Sequence, residues 1–333
     1  MQKRFVAVRE DLPGGAWLAR FNEGRAEAEA WYRGVGREAP PTPEACAKAL
    51  REHMPELLAS YERACDLVGD DEVAHQILSQ YRPPPLPCGC TQAVWLGDDG
   101  PALVRNYDYP LAVVSDHFES TSWFGREVIS KGQRPWGGCL DGMNADGLVA
   151  SLTFGGSPVQ GAGFSVILIL RYVLETCRRT SEAVDALCRI PVALSQNVTV
   201  LDRSGAHATV FLGPDRAPEV SRLLACANHQ DASASIDPTG AVTRSVRRQS
   251  AALRALAEPA TTLATLAGAF LSAPVFSREA ASPTVYSAVY RPAELRVDYL
   301  WPGKVMTQRI GRFEPGEYVH DYGLQSPRPV TTP

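Results

Sequence analysis

The stretch "YRPPPLPCGCTQAVWLGDDGPALVRNYDY", Tyr81 to Tyr109, divides the chain into two textures. The prolines at 83, 84, 85 and 87 each remove a backbone donor and bias the preceding residue toward an extended conformation, so helix stops here. Directly afterwards, "CTQAVWLGDDGPALVRNYDY" reads as a strand, a turn at Asp98-Asp99-Gly100 and a returning strand. A rigid, extended segment therefore runs straight into a cysteine, Cys90, at the start of a β-hairpin.

Upstream of the prolines the pattern is helical. Residues 15–80 carry apolar side chains at three- and four-residue intervals, and Thr42-Pro43-Glu44 has the form of an N-cap followed by proline in the first turn. Downstream, "NADGLVASLTFGG", "NVTVLDRSGAHATVFLG" and "TVYSAVYRPAELRVDYLWPG" repeat the strand-and-turn texture, and "RLLACAN" reads as a strand. "FSVILILRYVLETCRR", "TSEAVDALCRI" and residues 244–257 read as helices. Hairpins outnumber strand–helix alternations, which predicts an α+β fold of antiparallel sheets with helices layered on them. The tail from about 325 to 333 reads as loose.

The 333 residues are 45% hydrophobic and 21% charged, as in an ordinary globular protein. A net charge of −4 gives no basic footprint for nucleic acid, and "RSVRR" at 244–248 is too short to supply one. The longest apolar run, "FSVILIL" at 164–170, is too short to cross a bilayer, and the N-terminus lacks a signal-peptide core. We therefore expect a soluble, cytoplasmic protein without membrane or nucleic-acid partners. Its eight cysteines show neither a disulfide rhythm nor zinc-ligand spacing, so free thiols and no metal are expected.

Cys90 stands out for a chemical reason. A thiol is a good nucleophile only as the thiolate, which requires a base. The nearest downstream histidine, His117, lies in a loop-like "SDHFES". A cysteine made N-terminal by cleavage needs no histidine, because its own α-amine, of pKa about 7.7–8.0, can take the thiol proton. Cutting between Gly89 and Cys90 would create that residue. Arg105 and Asp108, on the return strand, are placed to favour the thiolate and to anchor the new ammonium group. The plainer readings are a buried cysteine at a strand start and a strand-end ion pair; Cys88 is the local rival.

"GCTQAVW…ALVRNYDY" followed by "DGMNADGLVASLTFGG" resembles the N-terminal nucleophile hydrolases. More narrowly, it resembles the acyl-coenzyme A:6-aminopenicillanic acid acyltransferase (peptidase C45) group, related to choloylglycine hydrolases and penicillin V acylases. The similarity continues through "VTVLDRSG", "ACANHQ", "SVRRQSAAL" and "TVYSAVYRP", covering essentially 90–333. It implies a four-layer αββα sandwich and autocatalytic cleavage at Gly89/Cys90. The helical segment 1–89, ending in the proline-rich linker 82–87, would be retained as a small subunit, with 90–333 as the large one.

Carried over by motif, the resemblance makes Cys90 the nucleophile, with Arg105 and Asp108 flanking it. It places Asn144 and Asn228 on the oxyanion side and Arg248, with Arg247 as second choice, as a downstream arginine. By local sequence alone, Asn144-Ala145-Asp146-Gly147 is a turn, Asn228 a strand-end cap, and Arg247 and Arg248 helix-surface charges. Trp123, Phe124, Trp136 and Phe154 are candidates for an apolar acyl pocket, with His229 helping to shape it.

The expected activity is hydrolysis of a linear, non-peptidic or short-peptide amide, a small molecule, through a Cys90 thioester. The alternatives are acyl transfer to an amine and a non-catalytic, unprocessed binding protein. No cofactor is needed; coenzyme A enters only as acyl carrier in the transferase reading. Homo-oligomerisation stays open.

Overall fold

A computed structural model describes residues 1–34, 40–85, 89–133, 137–230 and 241–323. Strand β1 (Gln2–Arg9) precedes helices α1 (Gly15–Tyr32), α2 (Pro43–His53), α3 (Leu58–Val68) and α4 (Glu72–Ser79). Then come strands β2 (Gly89–Gly97), β3 (Gly100–Asp108), β4 (His117–Thr121), β5 (Val128–Gln133), β6 (Gly138–Asn144) and β7 (Val149–Phe154). Helices α5 (Val166–Thr176) and α6 (Thr180–Arg189) lead to β8 (Gln196–Leu201), β9 (His207–Gly213), β10 (Arg216–Ser221) and β11 (Ala225–Cys226). The chain closes with α7 (Ala241–Ala257), α8 (Leu263–Phe270), β12 (Thr284–Arg291), β13 (Arg296–Trp301), β14 (Lys304–Arg309) and β15 (Gly316–Asp321).

Among the described residues the strands form two sheets. One has nine strands in the order β10-β9-β8-β7-β6-β5-β4-β1-β15, the other six in the order β11-β2-β3-β12-β13-β14. All ladders are antiparallel except β1 with β4. The sheets meet through β2 and β7, α5 and α6 cover the outer face of the large sheet, and α7 and α8 cover that of the small one. This is the α+β, αββα sandwich.

Local chemistry explains the elements that place the site. Thr42 Oγ1 accepts the Ala45 N–H at 3.3 Å, with Pro43 in the first turn of α2, as the sequence predicts. Helix α5 is apolar on nearly every face and almost wholly buried, the pattern of an interior helix. It lies tight on β6 because Gly138 and Gly142 have no side chain. A Cβ at Gly142 would sit 2.7 Å from Leu174 Cδ1, and one at Gly138 2.5 Å from Ile167 Cγ1.

Two expectations are corrected. The segment before the prolines is not helical throughout: "QKRFVAVR" forms β1, whose Phe5 and Ala7 are buried while neighbours remain accessible. His117 opens β4 rather than sitting in a loop, and burial pushes its imidazole down to about 4. No described helix is long and apolar enough to cross a membrane.

Candidate functional site

The β2–β3 hairpin turns at Gly100, whose positive φ of 89° suits a residue without a Cβ. Its register sets Cys90 opposite Tyr107 and Gly89 opposite Asp108. Directly opposed residues share a face, and alternate residues along a strand do too. Cys90 and Arg105 therefore both face the space between the sheets. Arg105 Nη2 lies 3.2 Å from Cys90 Sγ, with both side chains fully buried.

The guanidinium is fixed from its other end. Arg105 Nη1 donates to Asp141 Oδ2 at 2.6 Å and to Leu140 O at 2.9 Å. Asp141, equally buried, also accepts from the Tyr286 and Tyr290 hydroxyls, and Tyr299 OH lies 3.3 Å from Tyr290 OH. Although burial disfavours the guanidinium charge, Asp141 holds Arg105 protonated well above the ordinary arginine range. Asp141, Tyr286 and Tyr290 were not singled out in the sequence; only the three-dimensional meeting of β3, β6 and β12 brings them together.

Asp108 points the other way, toward the backbone of the Gly89–Cys90 junction rather than the thiol. A Cβ at Gly89 would sit 3.0 Å from Asp108 Cβ, so the residue before Cys90 must be small. Thr284 Oγ1 donates to Asp108 Oδ1 at 2.6 Å. Burial raises the carboxyl to about 6, against the pull of Arg248, Thr284 and Arg105.

On the same side, Asn228 Oδ1 accepts the Cys90 N–H at 2.9 Å and Arg248 Nη2 at 2.5 Å, while Arg248 Nε donates to Thr91 Oγ1 at 2.9 Å. Arg248 thus reaches the site, and Arg247 is exposed on α7. Asn228 Nδ2 is directed at Phe154 O, 3.5 Å away.

Asn144 requires a correction. Its Nδ2 donates to Leu174 O and Cys177 O, both at 2.8 Å, and its Oδ1 accepts the Asp146 and Leu148 N–H groups. Its own N–H goes to Leu148 O. Every donor is used, so Asn144 pins the β6–β7 turn to the end of α5 and offers nothing to an oxyanion. The turn reading from its local sequence is the right one.

None of the described aromatic candidates lines the cavity beside the hairpin. Trp123 stacks on the Arg171 guanidinium at 4.9 Å, Phe124 is 39% exposed, and Trp136 lies outside the described residues. Phe154 offers its carbonyl to Asn228 Nδ2 at 3.5 Å. His229 Nδ1 meets Ser245 Oγ at 2.7 Å, which ties the strand end to α7. The cavity beside the site is lined instead by Tyr107, Tyr109, Leu140, Leu152 and Phe164, with Pro83 and Pro84 of the linker closing it. It encloses about 20 Å³, room for little more than one water. No cluster of three His, Cys, Asp or Glu side chains able to hold a metal occurs among the described residues.

Residues 95–305 match the model of the acyl-coenzyme A:6-aminopenicillanic acid acyl-transferase family, well over half of the chain. No curated protein sequence matches. Among solved structures, an N-acylethanolamine-hydrolyzing acid amidase ortholog from Caenorhabditis elegans is 18% identical at a TM-score of 0.46, over 61% of this chain and 93% of that one. Penicillin V acylase from Agrobacterium tumefaciens is 16% identical at 0.45, over 67% and 86%. A mutant conjugated bile acid hydrolase from Clostridium perfringens is 12% identical at 0.48, over 72% and 99%.

Proposed function

Because the chain belongs to the acyl-coenzyme A:6-aminopenicillanic acid acyl-transferase family of N-terminal nucleophile hydrolases, we propose that it is a self-processing cysteine amidohydrolase acting on a small linear amide. The observation that carries this reading is the double attachment of Cys90: its thiol meets Arg105 while its backbone nitrogen meets Asn228. A guanidinium beside the thiol favours the thiolate, and the Asn228 acceptor would hold the amine that cleavage creates.

Cleavage of the Gly89–Cys90 bond turns that nitrogen into an amine, already held by Asn228 Oδ1 and close to the Asp108 side of the hairpin. The amine takes the thiol proton, and Sγ attacks the substrate carbonyl. The oxyanion draws on Asn228 Nδ2; loss of one such donor costs on the order of 10²–10³ in rate. Collapse expels the amine product, which leaves with the proton, and forms a thioester on Cys90. Water then releases the acid. An amine in place of water would make the same intermediate an acyl-transfer donor, and added amines competing with water for the acyl-enzyme would reveal that branch.

The test is intact mass under denaturing conditions for wild type and Cys90→Ala. Wild type is expected as two pieces divided at Gly89/Cys90, active on simple amides, and the variant as one inactive chain. A single uncut wild-type chain, or turnover retained by Cys90→Ala, would overturn the reading.

A further inference from the structure

The cavity closed by Pro83 and Pro84 is lined by residues that neighbour the nucleophile's own partners. Tyr107 is Cys90's partner in the hairpin, Leu140 O holds Arg105, and Gln196 pairs in register with Phe154, whose carbonyl faces Asn228. It is the space beside the nucleophile where an acyl group would lie. No charged side chain lines it among the described residues, but two glutamines do, Gln133 and Gln196. They are 3% and 2% exposed, and the Oε1 atom of each accepts no hydrogen bond.

Two buried amide oxygens without donors are a cost that folds avoid. The described part of the linker supplies no donor to them. The strap is anchored by its backbone, Arg82 N–H to Gly163 O at 2.7 Å and Ser165 N–H to Gln80 O at 2.8 Å. What it puts against the cavity is Pro83 and Pro84, which have no N–H to give. It fills apolar volume and leaves the amides unanswered.

We propose that Gln133 and Gln196 select an acyl group bearing a neutral hydrogen-bond donor, such as a hydroxyl, in place of a plain hydrocarbon chain. The apolar walls take the carbon skeleton, the glutamines take the polar function, and the absence of a lining charge disfavours carboxylate or ammonium substituents. This rests on the amidohydrolase reading and on displacement of Pro83 and Pro84 after cleavage.

The test uses processed enzyme and p-nitroanilides of hexanoic acid and of its hydroxy derivatives, substituted at each carbon in turn, with p-nitroaniline release read as kcat/KM. At least one hydroxylated member should exceed the hexanoyl parent by about tenfold. That advantage should shrink to within about twofold in Gln133→Leu or Gln196→Leu. Each variant is first shown to self-cleave, so one that fails to fold leaves the other to decide. Hexanoyl anilide cleaved as fast as every hydroxylated member, or a preference that survives both substitutions, overturns the proposal while leaving the amidohydrolase standing. No cleavage of any anilide by processed enzyme overturns the amidohydrolase reading itself, and this inference with it.

Discussion

Asp108 is where residue-scale chemistry becomes measurable. Its carboxyl is raised to about 6 by burial, so it is ionised above that pH and protonated below it. An ammonium group on Cys90 gains from the ionised form only. Turnover should therefore fall as pH drops below about 6, the new ammonium itself drawing the carboxyl down from that value. Thr284→Val removes the hydroxyl that favours the carboxylate and should move this acid limb up by about one unit, whereas Thr284→Ser should restore it. A pH–rate profile checks both, and an unmoved limb would detach Asp108 from the reaction. At this scale the sequence was only partly legible. Cys90 and Arg105 share one hairpin, and their spacing predicted their meeting; Asp108, three residues on from Arg105, falls on the opposite face beside Gly89 and does not meet the thiol. Asp141 and its tyrosines come from two strands, β6 and β12, separated by up to 149 positions, and no local pattern joins them. Asn144 misled because a motif resemblance outweighed a turn sequence that already accounted for it.

Among the elements, α5 and the central strands of the large sheet share a buried ionic cluster remote from Cys90. Arg171 meets Glu119 and, at 3.3 Å, Glu175, which also accepts from Thr121 Oγ1 at 3.2 Å. Burial pushes Glu175 up to about 7, against the pull of Arg171. Its folded value therefore lies above its unfolded one of about 4.3. Such a group stabilises the fold below the unfolded value, and that contribution is lost as pH rises through about 7. Glu175→Gln keeps the Oε1 acceptor without the charge. It should raise the melting temperature by a few degrees at pH 8 and change it little at pH 4; equal shifts at both would refute the assignment. Element legibility followed the range of the contacts. The β2–β3 hairpin and α2 declare themselves by turn and cap. By contrast β4 and β10 are short pieces whose partners decide their state.

For the whole molecule the decisive feature is where β1 sits. It lies between β4, its parallel neighbour, and β15, which has no other strand partner among the described residues. The segment before Cys90 thus contributes its β1 to the interior of the large sheet. Phe5, fully buried, packs at 5.7 Å from Phe118 and 5.6 Å from Trp301, joining the two sheets near their open edge. The alternation of "QKRFVAVR" gave a strand signal, but a parallel partner more than a hundred residues away leaves no local trace, which is why the segment read as wholly helical. After cleavage at Gly89/Cys90 the small piece should co-purify with a tag on the large one under native conditions, and the pair should melt in a single transition. Phe5→Ala should destabilise the pair by about 3–5 kcal/mol and so lower that transition, because its loss loosens β1 and with it β15. Loss of the small piece from wild-type enzyme on native size exclusion, with activity intact, would show that β1 does not bind the halves together.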